Sequence, residues 1–109
     1  MFELRKTGNQ RSDAQRILNE CYSVQFLLNG KLPSYLFKLR NNSSNKPYIL
    51  VKQDSYVFRE LKVGDVLDMR YNPSGSLGGG KTFKTIITSK IPHNRYNGHS
   101  IIELSIINN

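Results

Sequence analysis

The chain has no tryptophan, one cysteine and two histidines in 109 residues. A lone Cys21 excludes an internal disulfide, and His93 and His99 have no carboxylate or thiol partners at the spacing of a four-ligand metal site. No apolar run approaches the roughly 18 residues that a membrane span needs. The amino terminus, Met1-Phe-Glu-Leu-Arg-Lys6, lacks the apolar core of a signal peptide. Acidic residues are also scarce, with eight Asp and Glu against sixteen Lys and Arg. They form no defensible acid/base pair, and Cys21 has no evident base, so nucleophilic and general acid–base catalysis find no support. The expectation from these absences is a cytoplasmic, soluble, non-enzymatic protein with no cofactor and no membrane span.

What is present is a single domain's worth of chain with a core. Hydrophobic residues make up 38% and aromatics 10%, enough for a globular fold and too much for a disordered one. The formal net charge of +8 points toward anionic ligands or polyanions. The cations are scattered over almost every segment, which favours a folded, locally basic site over a basic tail.

Along the chain, residues 1–11 form a basic arm carrying Arg5, Lys6 and Arg11. Ser12-Asp13-Ala14-Gln15 reads as a capping box, and Ala14, Ile17, Leu18 and Cys21 follow at helical spacing, predicting a short helix near residues 13–20. Strand periodicity then takes over. Tyr22, Val24, Phe26 and Leu28 share one face, and Asn29-Gly30 signals a two-residue hairpin because a type I′ turn wants positive φ at both positions. Pro33 is expected to delay the return strand, which runs from Ser34 to Arg40 with Tyr35, Phe37 and Leu39 inward.

A polar corner, Asn41 to Lys46, leads to a third strand, Tyr48 to Lys52. A connection from Gln53 ends in Leu61-Lys-Val-Gly-Asp65 and opens a fourth, Val66 to Tyr71, with Leu67, Met69 and Tyr71 inward. Past a Gly/Ser-rich loop, Lys81 to Ile91 is a long strand with Phe83, Ile87 and Ile91 on one face. Gly98 to Ile107 is the sixth, alternating Ile102, Leu104 and Ile106 with polar residues. Short strands at this density predict an all-β fold, a small six-stranded antiparallel β-barrel over residues 22–107, preceded by the arm and short helix of residues 1–21.

One motif match is to be set aside. Gly75-Ser-Leu-Gly-Gly-Gly80-Lys81-Thr82 fits the phosphate-cradling pattern G-x-x-x-x-G-K-[ST], but that loop works only where a helix follows. Here Thr82-Phe-Lys-Thr-Ile-Ile-Thr88 is β-branched and alternating, which makes the segment a hairpin loop entering a strand.

Anion binding at the polar corner remains. Arg40-Asn41-x-Ser43 closes the second strand, arginine grips phosphate bidentately, and Asn and Ser at a strand end can bond a ligand's edges. Antiparallel pairing would bring the start of the first strand, and so Arg11 and Arg16, toward this corner. The order of features resembles the PilZ domain, a bacterial cyclic di-GMP receptor module. Asn41-x-Ser43-x-x-Lys46 stands where that family has [D/N]-x-S-x-x-G. Tyr48-Ile-Leu-Val51, the Leu61-x-Val63-Gly64-Asp65 step and the final Gly98-His-Ser-Ile-Ile-Glu-Leu-Ser105 look like the rest of the barrel.

Two departures stand out: Lys46 replaces the family's glycine, and no R-x-x-x-R is present, Arg11 and Arg16 being five apart. The resemblance implies a non-catalytic signalling module in motility, pilus or biofilm regulation. Its candidate ligand is cyclic di-GMP, with Asn41 and Ser43 carried over from the motif, Arg11 and Arg16 as candidates by location, and Arg40 added by the chemistry of the corner. Two alternatives stand beside it: a degenerate PilZ-like adaptor that acts through a protein partner without nucleotide, and a small basic barrel binding single-stranded nucleic acid through Tyr35, Tyr48 or Phe83.

Overall fold

The computed structural model describes residues 21–73, 80–92 and 98–107. The arm, the expected helix near residues 13–20, Arg11 and Arg16 lie outside the described residues. Among the described residues the strands are β1 (Cys21–Leu28), β2 (Lys31–Lys38), β3 (Arg40–Asn41), β4 (Pro47–Lys52), β5 (Val66–Pro73), β6 (Lys81–Pro92) and β7 (His99–Ile106), with a short helix, α1 (Tyr56–Glu60), between β4 and β5. They form one antiparallel sheet in the order β2-β1-β5-β6-β7-β4-β3, curled into a half-barrel.

The expected all-β antiparallel fold is present, but as seven strands in one curled half-barrel sheet and not as the expected small six-stranded barrel. The predicted second strand breaks at Leu39. Its first part pairs only with β1, and the Arg40–Asn41 remnant pairs only with β4. The same run of chain therefore supplies both edges of the sheet, and no ladder joins β2 to β4.

Alternation along the strands builds the core. Val24, Phe26, Ile49, Val51, Met69, Tyr71, Ile87, Ile102 and Leu104 are buried on the concave face. The β1–β2 turn has Asn29 at φ 54° and Gly30 at φ 68°, the pair of positive values that Asn-Gly supplies most readily. Pro33 does not delay the return strand. β2 starts at Lys31, and the Leu32–Pro33 step is absorbed by a register shift opposite Leu27/Leu28. The strand tolerates it because β2 is an edge, where a missing N–H costs little.

Two expected inward residues point elsewhere. Tyr22 is 52% exposed where the register between β1 and β5 shifts, with the Lys38 ammonium 5.6 Å from its ring centroid. Ile91 is exposed because β6 carries a bulge at Thr88, where register jumps from Ile87↔Leu104 to Ser89↔Glu103. An extra residue inverts the alternation beyond it, so Lys90 turns inward and Ile91 outward.

The connection expected over residues 53–64 contains α1. Ser55 caps it, its Oγ accepting the Phe58 N–H at 3.2 Å. Five residues cannot hold a helix alone, and burial of Val57 and Leu61 in the core supplies the rest. Lys90 completes the other end, donating to the carbonyls of Phe58 and Leu61, each at 2.6 Å, with its ammonium 3.9 Å above the Phe58 ring. Burial, then Lys62, hold the Lys90 pKa below its ordinary value, and Asp65 opposes them. After the helix, Gly64 (φ 96°) takes the third position of a turn closed by Asp65 N–H to Lys62 carbonyl at 2.9 Å, and Asp65 Oδ2 accepts the Lys62 N–H. A positive φ there is the reason for glycine.

Candidate functional site at the Arg40–Lys46 corner

The polar corner connects β3 to β4 and is organised by Asn42. Its Oδ1 accepts the N–H groups of Ser44 and Lys46, each at 2.9 Å, while its Nδ2 donates to Glu103 Oε2 at 3.0 Å. Backbone bonds Asn42 N to Lys46 O (2.9 Å) and Asn45 N to Asn42 O (2.8 Å) close the loop around that side chain. An asparagine folding back on amides two to four residues ahead is a local turn device, and the link to β7 anchors it to the sheet. Glu103 is in turn held by the Ser89 hydroxyl, which donates to Oε1 at 2.9 Å.

The three corner residues singled out by their order are contiguous and differ in role. Asn41 and Ser43 are exposed and Arg40 is half-buried. Among the described residues, none of the three side chains has a hydrogen-bond or ion-pair partner. Asn42, carrying the neighbouring and otherwise identical side chain, is the one consumed by structure. The sequence offered two adjacent asparagines and no local means of telling them apart. What decides it is Glu103, 61 residues away.

Lys46 stands where the PilZ pattern has glycine. The corner's positive φ falls on Asn45 (63°), a residue type that tolerates it, and not on Lys46. The backbone of this corner therefore does not need glycine at position 46. The Lys46 side chain is exposed, adding a cation to the corner that Arg40 opens.

Strand register extends the site across the convex face. Arg40 lies opposite Tyr48, Tyr48 opposite Glu103, and Glu103 opposite Ser89, so one row crosses β3, β4, β7 and β6. Paired residues of an antiparallel ladder share a face, so the half-buried Tyr48 ring lies beside the Arg40 side chain. The next row, Leu50, Ile101 and Ile91, is apolar. The amino-terminal side also approaches the corner: Leu39 N–H donates to the Tyr22 carbonyl at 2.9 Å, so β1 begins next to the residue that precedes Arg40.

Of the remaining sequence motifs, residues 75–79 of the Gly-rich segment lie outside the described residues. Lys81 and Thr82 open β6 and pair with Tyr71 and Arg70, so a strand stands where a phosphate-cradling loop would require a helix. His99 lies in β7 opposite Lys52, and His93 is outside the described residues. Among the described residues no group of three or more His, Cys, Asp or Glu is placed to hold a metal ion, and no helix is long and apolar enough to cross a membrane. Tyr35 and Phe83, two of the three candidate stacking rings, pack against the core.

Among the described residues, the acid with a clearly perturbed pKa belongs to the interior. Burial raises the Tyr71 phenol to about 12, against the lowering effect of its hydrogen bond with Thr85 Oγ1 at 2.8 Å, with Cys21 adding a smaller upward push. It stabilises the fold and faces no cleft at the corner. No family model matches the chain, and comparison with curated proteins and with solved structures finds no significant match.

Proposed function

We propose that this protein is a non-catalytic PilZ-like signalling module that receives cyclic di-GMP at the Arg40–Lys46 corner. The observation that carries the reading is a division of labour between adjacent residues. Asn42 ties the corner to itself and to Glu103, while Arg40, Asn41 and Ser43 keep their side chains without partners among the described residues. A loop closed by its own hydrogen bonds, presenting solvent-facing polar side chains not engaged by the protein, suits a ligand site, since the loop's ordering cost is met before binding. Arg40 would take a phosphate bidentately, and Asn41 and Ser43 would bond a guanine or ribose edge. Arg11 and Arg16 are the further candidates for phosphate, because β1 starts beside the corner and the arm precedes it directly.

A second reading, a PilZ-like adaptor that works through a protein partner without nucleotide, draws on the convex apolar row Leu50, Ile101 and Ile91. Single-stranded nucleic acid is less well served, because Tyr35 and Phe83 pack inward and leave only Tyr48 of the three rings on the convex face.

Calorimetric titration of cyclic di-GMP at physiological salt tests the first reading, with GTP and a short single-stranded RNA as controls. The expected result is selective binding of cyclic di-GMP that Arg40→Ala and Asn41→Ala/Ser43→Ala each weaken by about tenfold or more, the loss of a bidentate charge-assisted contact or of two neutral bonds. No heat at ligand concentrations near a millimolar would overturn it. Equal responses to all three anions would reduce the site to non-specific charge.

A further inference from the structure

β2 is the long open edge of the sheet, paired with β1 on one side and with no described strand on the other. The phase of its ladder follows from one bond. Leu39 donates its N–H to the Tyr22 carbonyl across the β1–β2 pair, and antiparallel ladders alternate between bonded and non-bonded pairs. In the register Val24↔Phe37 and Phe26↔Tyr35, Phe37 and Tyr35 therefore turn their backbone groups toward β1. Ser34, Leu36 and Lys38 turn theirs to the free edge.

The burial pattern marks the same edge as incomplete. On the other long strands the central inward side chains are fully buried, whereas Tyr35, tilted against Phe26 at a centroid distance of 6.2 Å, and Phe37, stacked on it at 5.8 Å, are only half-buried. Leu36 on the convex face is 64% exposed and Leu32 84%. An added strand would cover the rings of Tyr35 and Phe37 on its inner side and the Leu36 side chain on its outer side.

We infer that β2 is a docking edge for an extended segment of another protein, added as a further strand, with aliphatic residues facing inward and Asp or Glu at the outward positions. Charge selects this occupant. β2, Lys31-Leu-Pro-Ser-Tyr-Leu-Phe-Lys38, has no carboxylate and an exposed lysine at each end, Lys38 on the outward face opposite Ser23 and Lys31 past the bulge opposite Leu28. Pairing of β2 with a second copy of itself would gather four lysines and no acid in one short ladder, which is unfavourable. Lysines, a proline and a bulge at an edge are the usual guards against self-association, and here they flank the open stretch Ser34–Phe37 without covering it. Main-chain bonds from Ser34 and Leu36 would give affinity, and the alternating side chains and terminal lysines would give specificity.

The test is selection of a phage-displayed random dodecapeptide library on the full chain, followed by anisotropy titration of the enriched peptides and amide hydrogen exchange. The expected peptides alternate aliphatic and acidic residues, and their binding slows exchange at Leu36. Leu36→Pro, which removes an edge-facing N–H and no β1–β2 bond, is expected to weaken them by about tenfold or more. Should that variant fail to fold, Lys31→Glu/Lys38→Glu decides, since both side chains are exposed: it is expected to reject the acidic peptides and select basic ones. Three results would overturn the inference: no enrichment of alternating acidic sequences, binding that survives both variants, or a concentration-dependent dimer abolished by Leu36→Pro, which would make a second copy the occupant.

Discussion

Replacing Asn42 by alanine separates the residue that builds the corner from those left free to bind. The substitution removes three hydrogen bonds, from Ser44 N, Lys46 N and to Glu103 Oε2. Each such bond contributes about 0.5–1.5 kcal/mol net, and the lower part of that range applies because the corner is partly open to water. Glu103 also keeps its bond from Ser89, so no carboxylate is left wholly unsatisfied. The expected loss is about 2 kcal/mol, which at a urea dependence of about 2 kcal/mol per molar moves the unfolding midpoint down by about 1 M. Asn41→Ala and Ser43→Ala, at exposed side chains without partners, should stay within about 0.5 kcal/mol of the parent. Urea unfolding followed by far-ultraviolet circular dichroism reads all three. Equal midpoints for Asn42→Ala and Asn41→Ala would refute the assignment of roles on which the proposed site rests.

The Tyr71 phenol provides a pH signature. Its folded pKa of about 12 lies above the unfolded value of about 10, so its stabilising contribution is complete below pH 10 and is lost between pH 10 and 12. That loss is on the order of 2–3 kcal/mol, and Tyr71→Phe should flatten this part of the stability–pH curve. The same variant should cost about 1 kcal/mol at neutral pH, because Thr85 Oγ1 retains the Phe83 carbonyl at 3.3 Å. Ser55→Ala removes the cap of α1 and should cost about 1 kcal/mol by thermal or urea unfolding. Lys90→Met keeps an apolar stem over the Phe58 ring but leaves two carbonyls without their donor, with an expected loss of about 1–2 kcal/mol at neutral pH. Because its folded pKa is lowered, Lys90 itself favours the folded state less at pH values below that pKa, so this penalty should grow as pH rises toward the ordinary lysine value.

Local chemistry wrote most of the strands into the sequence. Alternation in Val24-x-Phe26-x-Leu28, Leu67-x-Met69-x-Tyr71 and Ile102-x-Leu104 commits each segment to one buried face, and Asn29-Gly30 commits the chain to a tight hairpin. These signals reach no further than a few residues, which is why they can be read without the fold. The same locality explains the errors. The break at Leu39 and the bulge at Thr88 depend on which strand lies alongside: Leu39 bonds Tyr22, while Ser89 and Glu103 share a hydrogen bond across β6 and β7. Helix α1 is too short to announce itself by periodicity and exists because the half-barrel offers Val57 and Leu61 a core to enter.

At the corner, composition and order placed Arg40, Asn41 and Ser43 on one loop, because neighbours in sequence at a strand end are neighbours in space. Only the tertiary structure decided that Asn42 is the structural member, since its partner arrives on β7 from the far end of the chain. Only the tertiary structure left β2 with no described strand on its outer side as well. Strand propensity is a property of a segment, whereas the pairing of its two sides is a property of the whole sheet, and here the sheet curls without a ladder between β2 and β4.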